Sequence, residues 1–209
     1  MKDNLPHIAF EYPDNFPENF GDLFSKGIEN EDLDLRIKKN EQTLWAASEW
    51  VIPGLIAVYV FKPYFESFLK EAGKDHYLLL KKKIKEVLSK TKNMEVTTLT
   101  SSGTTKKVDN SNTQSKAISV FLQSEKDILI KLLYDNKLDL ETWHSSTEFI
   151  MNVLEEHYEN KPNNQITEYL EKIDLQRGRT IYAIIDPETK NWTFINNLGE
   201  YEREKRNKN

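Results

Sequence analysis

A chain of 209 residues, 38% hydrophobic and 30% charged, with 23 aromatic side chains, suits a folded domain that buries roughly 70% of its unfolded surface. It has no cysteine, which excludes disulfides, thiolate metal sites and cysteine nucleophiles and removes any need for an oxidising compartment. The net charge of −5 hides three blocks: residues 1–34 hold nine acids against two lysines, 70–92 eight lysines against three acids, and 124–175 twelve acids against five lysines.

In chain order, residues 7–12 predict a short strand closed by Pro13, and Asn19 is placed to cap a short helix over 20–28. Residues 32–39 alternate Leu33, Leu35 and Ile37 with Asp34, Arg36 and Lys38, the period of a strand with one wet face. The long apolar block and its continuation, 44–91, read as helix. Apolar residues fall at Tyr64, Phe65, Phe68 and Leu69, then at Tyr77, Leu80, Ile84, Val87 and Leu88, with Pro63 as a kink.

Residues 94–100 and 117–123 read as strands, which if paired form a hairpin with an unusually long connection, and the Ser/Thr/Asn/Lys-rich 101–116 reads as a mobile loop or long hairpin tip. Ser124 with Asp127 marks a helix over EKDILIKLLYD. Helices are predicted from Ser145 or Ser146 to about Asn160 and over 164–173, then a hairpin at 179–196 and a frayed charged tail at 198–209. The expected fold is a single α+β domain, residues 1–209: antiparallel hairpins with a central apolar helix, and further helices packed on one sheet face.

The stretch EWVIPGLIAVYVFKPYFESF, residues 49–68, is uncharged from 50 to 61. Twelve residues fall short of the roughly 20 that span a bilayer, and widening the window admits Glu49, Lys62 and Glu66. A buried core helix is therefore the first reading, a partner-binding face the second and membrane contact the third. The chain start has no continuous apolar stretch, so no secretory signal is expected and a cytoplasmic address is the default.

Candidate chemistry is sparse. His144 and Glu148 are four residues apart, on one face of any helix that holds both, but His7, His76, His144 and His157 show no HExxH-like spacing. No GxGxxG, P-loop or GxSxG is present. Arg177 and Arg179 flank Gly178 and suit a phosphate or carboxylate clamp. Lys81, Lys82, Lys83 and Lys85 form a basic run. The acidic pI near 5.5 and the lack of arginine beside those lysines argue against nucleic acid, and a solvated helix face explains them equally. Asp186 before Pro187 reads as turn chemistry.

The expectation is a non-catalytic protein that binds another protein of acidic character as an accessory or regulatory subunit. No cofactor, metal or catalytic residue is implied. Its contacts are expected at Phe61, Phe65, Phe68, Lys81, Lys82, Lys83 and Lys85, with Arg177 and Arg179. A membrane-docking protein using residues 43–69 ranks second. An enzyme assembled from distant residues such as His144, Glu148, Arg177 and Arg179 ranks third.

Overall fold

A computed structural model of the chain describes residues 5–40, 55–94, 97–99, 105–107, 114–124, 127–172, 180–186 and 188–196. Its frame is a mixed seven-stranded sheet with four helices among the described residues, an α+β fold. The strands are β1 (Ile8–Pro13), β2 (Leu35–Asn40), β3 (Ile56–Val60), β6 (Ile118–Gln123), β7 (Leu129–Leu133), β8 (Thr180–Ile185) and β9 (Trp192–Ile195). A separate antiparallel pair, β4 (Thr97–Leu99) and β5 (Thr105–Lys107), accounts for the numbers between. The helices are α1 (Asp22–Ser25), α2 (Leu69–Thr91), α3 (Leu140–Tyr158) and α4 (Gln165–Lys172).

The sheet order is β2-β1-β3-β6-β7-β8-β9. It consists of three parallel pairs, β1 with β2, β3 with β6 and β7 with β8, set antiparallel to one another and closed by β9 antiparallel to β8. A helix lies between the strands of each parallel pair, as a parallel crossover requires. Ile8, Phe10, Val58, Val120, Leu132 and Ala183 lie on one face and join a core completed by Phe24, Leu80, Ile84, Trp143, Leu154 and Ile166 of the helices. Hydrogen bonds join helix to helix and helix to sheet: Tyr77 of α2 donates to the Met151 carbonyl of α3 (2.6 Å), and Trp192 Nε1 of β9 to that of Ser146 in α3 (2.7 Å).

Three sequence expectations are corrected here. Residues 56–60 form a strand where a helix was expected. Ile56, Val58 and Val60 face the helices while Ala57 and Tyr59 face the opposite side, so a strand buried on both faces produces the same unbroken apolar run as a core helix. Residues 129–133 are likewise a strand: Ile130 and Leu132 turn to the core, and Leu129, Lys131 and Leu133 lie on the other face. And β4 pairs with β5, leaving β6 to sit between β3 and β7.

Two helix starts follow from local chemistry. The α3 helix begins a turn before Ser145 because Asp139 is its N-cap, accepting from the Thr142 amide at 2.7 Å. Such a cap is worth about 1 kcal/mol. Before α2, Pro63 leads into a π-helical turn, Tyr64–Phe68, and Gly73 interrupts the helix with φ 79° and ψ 178°, a conformation open to glycine almost alone. Of the expected loop at 101–116, residues 105–107 form β5. Residues 101–104 and 108–113, and the tail from 198, lie outside the described residues.

Candidate binding surface on the α2–α3 helix pair

Contacts between α2 and α3 run in opposite sequence order: Lys81 meets Asn152 and Glu155, Lys85 meets Glu148, Ser89 meets His144, and Lys92 lies over the Trp143 ring. The two helices are therefore antiparallel, with a polar seam along their contact. Lys81 is only 8% exposed. Its ammonium sits 3.9 Å from Glu155 and 4.2 Å from the centre of the Tyr77 ring. Burial lowers its pKa against the opposing pull of Glu155 and Glu148. The Lys85 hydrogen bond holds Glu148 below the usual carboxylate range. Lys83 bonds Glu86 at 3.2 Å and the Leu23 carbonyl at 3.3 Å.

The remaining lysines of this helix differ. Lys70, Lys74, Lys82 and Lys90 are exposed and form no ion pair among the described residues. Lys74 and Lys82 bracket Leu78 at four-residue spacing, so the three share one side of α2. Leu78 is 59% exposed, the most open large apolar side chain described. The sequence carried a signal for it. In YLLL, residues 77–80, successive side chains point about 100° apart, so Leu78, Leu79 and Leu80 do not all reach one core.

The aromatic candidates lie elsewhere. Phe65 and Phe68 are buried in the core, Phe65 stacked on Tyr158 at 4.8 Å and Phe68 edge-on to His76 at 4.7 Å. Phe61 is half-buried beside Tyr59, on the sheet face away from the helices. On that face Tyr59, Phe121, Lys131 and Tyr182 form one line across four strands. Lys131 is 4% exposed, and burial pushes its pKa down to about 8. Arg177 and Arg179 lie outside the described residues.

His144 and Glu148 do share a face of α3, turned toward α2. His144 Nε2 lies 3.1 Å from the Lys85 carbonyl and 3.1 Å from Ser89 Oγ. A carbonyl only accepts, so Nε2 carries the proton and Ser89 receives a hydrogen bond there. A general base acting on that serine would need the opposite arrangement. The other histidines are held by local bonds: His7 Nδ1 accepts from the Asp34 amide (2.9 Å), His76 Nε2 donates to the Ile28 carbonyl (2.9 Å), and His157 Nδ1 pairs with Thr167 (2.7 Å). Asp186 accepts from the Glu188 and Thr189 amides, which lowers its pKa and makes it a turn residue. Among the described residues no group of three or more His, Asp or Glu is placed to hold a metal ion, and no helix is long and apolar enough to cross a membrane. No protein-family model matches the chain, and no curated protein or solved structure is similar to it.

Proposed function

We propose that this is a non-catalytic binding protein, a cytoplasmic accessory or regulatory subunit that docks an acidic protein on the exposed side of α2. One observation carries the reading: Leu78 stands open to solvent between Lys74 and Lys82, which form no ion pair among the described residues, while Lys81, Lys83 and Lys85 are neutralised within the fold. An apolar anchor flanked by two lysines matches the anatomy of a protein-binding hot spot, the charges steering encounter and the anchor slowing release. Burying a leucine side chain contributes about 1.5–3 kcal/mol, enough to dominate a modest interface.

The test is a photo-crosslinking residue at position 82 in the full chain, with the captured protein then titrated against purified wild type. An acidic partner whose affinity falls at least about tenfold in Leu78→Asp, and weakens with added salt, supports the proposal. Equal affinity for Leu78→Asp and wild type sinks it. Flotation of the intact protein with anionic but not neutral vesicles would assign the same lysines to lipid headgroups instead. Against insertion of 43–69 counts the strand at Ile56–Val60, which is hydrogen-bonded on both sides inside the sheet.

A further inference from the structure

The β2 strand is last in the sheet order and, among the described strands, pairs with β1 alone. In a parallel ladder, alternate residues of a strand direct both backbone groups to the same neighbour. The Asp34 carbonyl accepts from the His7 and Ile8 amides at 3.0 and 3.2 Å, and the Asn40 carbonyl from Asp14 at 3.0 Å. The even-numbered residues of β2 therefore face β1. The N–H and C=O groups of Ile37 and Lys39 point away from the sheet, where no strand lies among the described residues. Unlike the other strands of this sheet, β2 is also bare on its faces: residues 36–39 are all exposed, Ile37 at 37%.

Lys38 and Lys39 form no ion pair among the described residues, so this rim is basic. Two copies joined rim to rim would set those lysines against each other, and like charges directly opposite destabilise a strand pair. The same charge favours an acidic strand.

We infer that the free edge of β2 receives an extended acidic segment of another protein by strand addition. The main-chain groups of Ile37 and Lys39 supply the hydrogen bonds, and the incoming strand alternates, with an apolar residue opposite Ile37 and an acid opposite Lys38. This surface is distinct from the exposed side of α2 and does not depend on it.

The test titrates the full chain with two synthetic peptides that alternate β-branched residues with either glutamate or lysine, read by fluorescence anisotropy and by backbone amide shifts. The glutamate peptide is expected to bind, to shift amides of β2 above all others, and to weaken as salt rises. Ile37→Pro removes an outward-facing donor, a substitution that edge strands tolerate. It is expected to weaken binding about tenfold, the scale of one lost hydrogen bond with its partner left unmet. Lys38→Glu with Lys39→Glu leaves the backbone untouched and is expected to reverse the preference in favour of the lysine peptide. The inference is overturned if neither peptide binds, if both bind wild type alike, if Ile37→Pro binds as wild type does, or if β2 amides shift with protein concentration alone, which would make the edge a self-association site.

Discussion

The β2 and β3 strands belong to one sheet and are separated only by β1, yet they live in different solvents. The period-two pattern around β2 predicts a strand with one buried face, whereas most of β2 is wet on both. Ile56–Val60 has no such pattern and is buried along almost its whole length, with a parallel neighbour on one side, an antiparallel neighbour on the other and a helical layer above. Alternation reports which side chains share a face. Position in the sheet decides whether that face meets anything.

Hydrogen exchange should show the widest gap. The amides of Ile37 and Lys39 point outward and are expected to exchange with little protection, while that of Val58 should open only near global unfolding, a separation of about 5–15 kcal/mol. Comparable protection at both strands would mean that the rim of β2 is covered in solution. Substitution comes next. Ile56→Ala removes a fully buried side chain and should cost about 2–5 kcal/mol in urea denaturation, against about 0.5 kcal/mol or less for Ile37→Ala. Similar costs would break the contrast between centre and edge.

The smallest effect is a pH dependence at the join between β1 and β2. His7 Nδ1 accepts the Asp34 amide hydrogen bond, which requires a neutral ring. Burial lowers the His7 pKa below its usual 6.5, although the Asp34 carboxylate pulls the other way. A lowered folded-state value means that the stabilisation is complete above about pH 6.5 and is lost as pH falls through the folded value. Denaturation midpoints should drop between pH 7 and pH 5 more in wild type than in His7→Asn, whose side-chain oxygen accepts at either pH. Parallel curves would remove His7 from the account.

Much of the fold was legible where local chemistry acts alone. The β8–β9 hairpin was readable because Asp186 accepts the amides of its own turn, and α4 because Ile166 and Leu170 recur one helical turn apart. The β3 and β7 strands were not, because a short, mostly apolar run satisfies either period and pairing with neighbouring strands makes the choice. Lys131 shows this well: on the expected helix it would take a wet side, but in β7 it is buried beside the Phe121 ring. The proposed binding surface was half legible. A basic segment was evident in composition, but which lysines are neutralised depends on the pairing of α2 with α3, which no spacing within α2 encodes. Leu78 was not singled out, because the helical spacing rests on Tyr77, Leu80, Ile84, Val87 and Leu88 and leaves Leu78 off that side.

The position of β3 also bears on the order in which the molecule is made. The chain emerges from its N-terminus, so β1 and β2 are synthesised before β3. Yet β1 lies between them and has a neighbour on each side only once β3 arrives. Every later strand of the sheet adds on the far side of β3. A ribosome therefore releases one flank of the sheet before its middle, and until Ile56–Val60 is out, the inner edge of β1 lacks its strand neighbour, as the outer edge of β2 does among the described residues.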